Sequence, residues 1–444
     1  MSLSSVLQFA VPLAGGLGFA AWIMPGPWHR PQVRPADPAA IIDEAPVELR
    51  TAVLMVADPA QTVTMWAALG LGSENTGFPV LECWDYTEQG LSADVLALAR
   101  HNVSDWNNDA IRGRLSNYLG AEQVTVTAPA PGWVRLHVRV FDTLAAPAAL
   151  PWVVPNAVDL EAVPVGVRED GGPWLLRLLY AHVLVAGATG SGKGSVLWSI
   201  LAGIGPAITA GLVDVWLADP KGGAEFGRGA DRLFIEFAID SATILTMLGK
   251  AVNVMDERLS RMREAGIRKL TPSTDEPLIL IIIDEAASLS SYATRDDQEK
   301  FRQLTGLLLS KGRAAGITMV SALQDPSKDT MPNRQLFPVR VGLRLDEPTQ
   351  NAMVHGQGAK DRGARCDEIS ETTPGVAYVG EDGSTAFVRV RAFYVTDDDA
   401  DAIVNIYSPA PQITGPTEDY SDFDPDDLGD DIPGDGYTGT GVAA

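Results

Sequence analysis

The sequence predicts an α/β fold: a mostly parallel sheet covered by helices on both faces, with a small α+β domain in front of it. Three observations carry the prediction. Apolar runs of strand length at 213–218, 278–283 and 317–322 alternate with helical patterns, and strands that are apolar on both sides belong in the buried middle of a parallel sheet. A glycine-rich turn at 187–193 joins one such strand to a helix. Ahead of these, 124–127 and 134–141 alternate polar and apolar residues in the period-two manner of strands.

With 444 residues, 46% of them hydrophobic, the chain has core material for two or three domains. The first 28 residues carry no charged side chain, and 6–24 is apolar but for Gln8 and a few glycines. As a helix this run spans roughly 28 Å, just enough for a bilayer core. Arg30 and Arg34 follow it and no cation precedes it, so the positive-inside rule places the remainder in the cytoplasm. A missing basic n-region argues against a cleaved signal peptide. Residues 1–28 are therefore read as a membrane helix tethering a cytoplasmic body; a buried or amphipathic N-terminal helix is the other reading.

After a Pro-rich segment at 25–38, residues 47–145 form the small α+β domain, with helices expected at 92–100 and 107–119, and Pro-rich turns at 145–155 close it. The second domain, 156–408, opens with a hairpin: strand 163–168, the turn Glu169-Asp170-Gly171-Gly172, then strand 174–179. Strands at 182–186, 213–218, 278–283, 317–322 and 339–345 follow, separated by a long helix at 241–265 and another through Lys311. Between Glu418 and Asp435 lie nine acidic residues and no basic one, so 409–444 reads as an acidic disordered tail.

A formal charge of −23 excludes a broadly electropositive surface, so nucleic-acid contact, if made, is expected from local basic loops. Cys83 and Cys366 stand far apart without a Cys or His partner at zinc-ligand spacing, which argues against a disulfide framework or zinc site and suits a reducing compartment.

Gly187-Ala188-Thr189-Gly190-Ser191-Gly192-Lys193 fits the P-loop pattern between strand and helix. Its glycines let backbone N–H groups close around ATP phosphates, the helix N-terminus adds partial positive charge, and Lys193 neutralises the transferred phosphoryl group. The position after Lys193, which usually carries a Ser or Thr on Mg²⁺, is Gly194, with Ser195 next; Ser195 is the expected substitute ligand. The apolar run Leu278–Ile283 ends in Asp284-Glu285, the Walker B form, in which Asp284 holds Mg²⁺ and Glu285 polarises the attacking water. The two motifs together imply nucleotide hydrolysis.

The text around these motifs resembles the FtsK/SpoIIIE family over about 240 residues: Asp219-Pro220-Lys221-Gly222; Met255-Asp256-Glu257-Arg258 through Met262 to Gly266; and Gly312-Arg313-Ala314-Ala315-Gly316-Ile317 before a strand ending in Gln324. The resemblance is nearest to the short plasmid-transfer (Tra) motor proteins of actinomycete conjugative elements, whose P-loops also tend to read Gly-Lys-Gly-Ser. It implies a RecA-like ATPase subunit in a hexameric ring that pumps double-stranded DNA in conjugation, segregation or packaging. ATPases of protein secretion and nucleotide-dependent membrane coupling proteins are the alternative readings. By the same resemblance Gln324 senses the γ-phosphate and Arg340 reaches a neighbouring subunit's site as an arginine finger. Two loops are candidates for DNA phosphate contact, one with Lys221, Arg228 and Arg232, the other with Lys328 and Arg334. A short helix at 398–407 and the acidic tail leave no room for a winged-helix module, so sequence-directed loading is expected from a partner or from the domain before the motor.

Overall fold

The computed structural model describes residues 38–152, 158–327, 330–380 and 385–409. The expected membrane helix at 6–24, the tail at 410–444 and Lys328 lie outside the described residues. Among the described residues no single helix is long and apolar enough to cross a membrane; one bent pair, 47–57 with 59–69, passes by length and composition. That pair buries Ala52, Val53, Met65 and Trp66 inside the protein.

Residues 38–139 build a four-stranded antiparallel sheet and its helices: α1 (Pro38–Glu44), α2 (Arg50–Ala57), α3 (Pro59–Leu69), β1 (Val80–Thr87), β2 (Gly90–Leu96), α4 (Val103–Asn107), α5 (Asp109–Leu119), β3 (Gln123–Thr127) and β4 (Trp133–Arg139). The strand order is β1-β2-β4-β3. Strand alternation sends Val124, Val126, Val134, Leu136 and Val138 into a core capped by Trp66 and Trp106, whose rings meet edge-on at 5.3 Å. The helix expected at 92–100 is instead strand β2. Leu91, Ala93 and Val95 alternate inward while Ser92 and Asp94 face out, and β2 bonds to a strand on either side. Cross-strand pairing, including Asp94 to Arg135 at 2.6 Å, overrides a helix-like composition.

The remaining elements are β5 (Ala148–Ala149), β6 (Val163–Arg168), β7 (Pro173–Leu176), β8 (Val183–Ala186), α6 (Lys193–Thr209), β9 (Val213–Ala218), β10 (Glu236–Ala238), α7 (Ser241–Ala265), β11 (Leu278–Ile283), α8 (Ala287–Ser290), α9 (Arg295–Lys311), β12 (Ile317–Leu323), β13 (Val339–Leu343), α10 (Pro348–His355), β14 (Val376–Gly380), β15 (Phe387–Tyr394) and α11 (Asp397–Tyr407). They share a sheet of order β10-β9-β11-β12-β8-β13-β14-β15-β6-β7, with β5 on β15. The run from β10 to β13 is parallel and the run from β13 to β7 antiparallel.

β11 shows why the parallel run is legible. Leu278, Leu280 and Ile282 face the core under α6 and α11, whereas Ile279, Ile281 and Ile283 face the core under α7 and α9. Each such side chain contributes about 1.5–3 kcal/mol by burial, so a polar residue anywhere in β11 would break the sheet. The two sheets meet through polar contacts. Asn107 donates to Asp361 O (3.1 Å) and accepts from Arg365 (3.0 Å), and Arg112 pairs with Glu368 at 3.0 Å. Asp142 is held by both guanidinium nitrogens of Arg389, at 2.6 and 2.9 Å.

Candidate active site

Parallel strands end on one edge of the sheet, and in such sheets ligands bind outside the carboxyl ends of the strands. β8 delivers the P-loop there, β11 delivers Asp284 and Glu285, and β12 delivers Gln324. The loop is anchored at three points: Gly187 N–H donates to Leu323 O (3.1 Å), Ala188 N–H to Arg344 O (2.8 Å), and Gly375 N–H to Ser191 O (2.8 Å). Gly190 and Gly192 take φ values of 72° and 97°, the left-handed region where a Cβ is costly. A side chain at Gly192 would also run into the backbone of Gly375.

Lys193 opens α6 and folds back over the loop, donating to Gly187 O (2.7 Å) and Ala188 O (3.1 Å). Burial lowers its pKa, with the nearby charges of Lys221 and Arg344 adding to the effect. Thr189 Oγ1 donates to Gln324 Oε1 at 3.1 Å, which ties the tip of β12 to the loop. Ser191 Oγ is buried without a partner. Ser195 lies about 100° further round the helix than Gly194, and its hydroxyl makes no hydrogen bond among the described residues.

Asp284 and Glu285 are both buried, but they are treated differently. Asp284 Oδ2 accepts from Lys221 Nζ at 2.7 Å. Glu285 is 6% exposed and neither carboxylate oxygen has a hydrogen-bond partner. Burial, chiefly, raises its pKa, against the pull of Lys193 and Lys221. A carboxylate kept dry and unpaired above a P-loop has the form of a general base.

The structure gathers Gly187, Ala188, Thr189, Gly190, Ser191, Gly192, Lys193, Asp284, Glu285 and Gln324 at this edge, and it relocates several other expected residues. Lys221, expected to face DNA, points its ammonium at Asp284; burial lowers its pKa, and the hydrogen bond and charge of Asp284 outweigh that and raise it. Arg228 and Arg232 turn onto α11 of their own chain, Arg228 to Asp397 (2.8 Å) and Asp401 (2.9 Å), Arg232 to Asn405 (2.6 Å). Arg334 donates to Pro326 O at 2.6 Å. Arg340, expected to reach a neighbour, spends its guanidinium on three carbonyls of its own chain, those of Phe337 (3.0 Å), Val354 (2.8 Å) and Arg334 (3.4 Å). Lys221, Arg228 and Arg232 have partners distant in sequence, which loop composition does not display, whereas Arg334 and Arg340 bond to carbonyls of nearby segments.

Two residues that the sequence reading passed over stand in the site. Arg344 donates to Thr189 O (2.9 Å) and pairs with Asp346 (2.9 Å) and Glu371 (3.5 Å). Glu225 lies against the first turn of α6 at Gly194; the missing side chain at 194 was the signal that pointed there. At the opposite edge of the sheet a basic cleft of about 490 Å³ opens beside Tyr180, with Arg268, Lys269, Lys311 and Arg313 around it. All four cations are exposed, and Lys269 Nζ sits 4.7 Å from the centre of the Tyr180 ring.

A mostly parallel sheet with a P-loop at its strand ends and two carboxylates on the adjoining strand defines a nucleotide-binding domain of the RecA-like P-loop ATPase class. Residues 153–276 match the model of the FtsK/SpoIIIE family. The chain is similar to DNA translocase FtsK of Streptococcus pyogenes serotype M1, 28% identical over 357 residues, which is 73% of this chain and 41% of the relative. It is also similar to DNA translocase FtsK of Lactococcus lactis subsp. cremoris strain MG1363, 27% identical over 354 residues, 73% of this chain and 44% of that one. The chain thus spans well under half the length of these relatives. Among solved structures, the pCW3 conjugation coupling protein TcpA, a monomer form with ATPγS, aligns with a TM-score of 0.51 at 20% identity, covering 78% of this chain and 98% of that one. That likeness shows a shared fold.

Proposed function

We propose that this chain is the motor of an ATP-driven double-stranded DNA translocase, working as a ring of copies in conjugative transfer, segregation or packaging of DNA. The observation that carries the reading is the convergence of Lys193, Asp284 and a dry, unpartnered Glu285 on the P-loop of an FtsK/SpoIIIE-type domain. In this reading the loop N–H groups and the N-terminus of α6 receive the ATP phosphates. Lys193 leaves its two carbonyls for the γ-phosphate, and Glu285 polarises the attacking water. The Thr189–Gln324 contact couples the phosphate end of the loop to β12, whose following segment runs on to Arg334.

The residues fit Mg²⁺. Among the described residues no three His, Cys, Asp or Glu side chains form a metal cage. Mg²⁺ in such sites does not need one, since it keeps waters and phosphate oxygens and takes one or two carboxylates. Asp284, now held by Lys221, would be one of them, and the bound ion would neutralise charge developing on the phosphates. For duplex phosphates, the four exposed cations beside Tyr180 offer what Arg228 and Arg232, tied to α11, do not.

The test is steady-state ATP hydrolysis by the full chain with long duplex, with single strands and without DNA, with Lys193→Ala as the blank. Stimulation of several-fold by duplex over single strands is expected. Turnover indifferent to DNA would overturn the translocase reading while leaving the ATPase intact.

A further inference from the structure

At Gly194 the P-loop pattern usually places a Ser or Thr whose hydroxyl binds the metal. In this structure the space of such a side chain is filled by another residue. A Cβ built on Gly194 would overlap Glu225 Oε1 and lie 3.2 Å from its Cδ. The carboxylate of a loop that follows β9, well beyond α6 in sequence, therefore fills the space of the missing hydroxyl.

Glu225 is held in that position by the loop that carries it. Asp219, fully buried, accepts from Lys221 N–H (3.1 Å) through one oxygen and from Glu225 N–H (3.0 Å) and Phe226 N–H (3.2 Å) through the other. This folds 219–226 back over the start of α6. Phe226 then stacks on Trp198 at 5.1 Å, one helical turn beyond Gly194. The Glu225 side chain remains exposed, with the Trp198 indole against its carboxylate, and it feels the charges of Asp284, Lys221 and Asp219. Glu285, which follows Asp284 in sequence and shares the pull of Lys221, is nine-tenths buried with both oxygens unpartnered. The site holds more carboxylate than its lysines satisfy.

We propose that Glu225 would supply the Mg²⁺ ligand that Gly194 lacks, together with Asp284, and that Gly194 is glycine because Glu225 occupies its side-chain space. The inference rests on the reading of the P-loop as a Mg·ATP site. It replaces Ser195, the ligand expected from sequence, with a carboxylate from the neighbouring loop. A charged ligand in place of a neutral hydroxyl binds the cation more tightly but repels metal-free nucleotide.

The test uses the full chain and two readouts that need no turnover: Mn²⁺ binding in the presence of ADP, followed by electron paramagnetic resonance, and binding of a fluorescent ADP in EDTA. Glu225→Gln is expected to weaken Mn²⁺ by about 10- to 100-fold, the range seen when the surroundings of a metal are disturbed. Metal-free ADP should bind as well as before or better. Gly194→Ser alone should push the Glu225 carboxylate aside and weaken Mn·ADP binding, and Gly194→Ser with Glu225→Ala should recover it, with the ligand handed to the new hydroxyl. Far-UV circular dichroism shows whether each variant is folded. Unchanged Mn²⁺ affinity in Glu225→Gln, a folded double variant without recovery, or weakening by Ser195→Ala in place of Glu225→Gln overturns the proposal. Absence of any ADP binding by the unsubstituted chain overturns the underlying site reading instead, and this proposal with it.

Discussion

Replacing Glu285 by Gln should make the protein more stable and nearly inactive. The carboxylate is 6% exposed and neither oxygen is hydrogen-bonded, so folding strips its water and returns little. A buried polar group left unpaired costs about 1–3 kcal/mol, and more if charged. A neutral amide of the same shape carries a smaller desolvation cost, so a gain of about 1–3 kcal/mol is expected. In a domain of this size that is roughly 2–4 °C per kcal/mol in Tm. The sign with pH is fixed by the raised folded pKa. The native state holds the proton where the unfolded chain has lost it, so stability falls as pH climbs from the ordinary value of 4.5 through the folded value, and stays lowered above it. The advantage of Gln should therefore be absent in acid and full at neutral pH. Thermal melts without nucleotide or divalent cation, at both pH values, measure it. Hydrolysis should fall by about 10²–10⁴-fold, the usual contribution of general base catalysis. A Tm equal to or below that of the unsubstituted chain at neutral pH, or retained turnover, would refute the assignment.

Asp142→Ala should cost about 3–5 kcal/mol, since it strands Arg389 in a largely buried ion pair; denaturant unfolding measures the loss. Burial raises the Asp142 pKa but the hydrogen bonds and charge of Arg389 prevail and lower it, so the contribution of this pair is present at neutral pH and lost only as pH falls below the ordinary 3.8; an acid titration of Asp142→Asn should lack that loss. Arg340→Ala removes three bonds to its own chain and should lower stability by about 1–3 kcal/mol. Mixed into unsubstituted protein it should reduce hydrolysis only in proportion to its share, whereas disproportionate poisoning would restore the arginine finger. Lys269→Ala with Lys311→Ala should weaken duplex binding uniformly across sequences and flatten its salt dependence by about one to two counterions, read by fluorescence anisotropy at several salt concentrations; an unchanged slope would remove the cleft from the DNA path.

What could be read from the residues depends on how local the deciding physics is. β11 was legible because six consecutive apolar residues satisfy two cores at once, and the P-loop because its glycine positions reflect backbone angles that only glycine holds cheaply. β2 was not, because its short alternation gains meaning only from the strands on either side. The intramolecular partners of the loop cations were not legible for a similar reason. Arg228 meets Asp397 across 169 positions and Arg232 meets Asn405 across 173, so nothing in the loop that carries both displays the last helix that packs against it. Glu225 was hidden in a motif already noticed for Lys221. The one clue was negative, a glycine where a hydroxyl was due.

The central claim is directional movement along duplex DNA, and its most direct measurement is displacement of a triplex-forming strand placed downstream on a long duplex. With ATP and Mg²⁺ the full chain should release the third strand in proportion to ATP hydrolysed, and Lys193→Ala or Glu285→Gln should release none. Duplex-stimulated hydrolysis without release of the third strand would contradict the account.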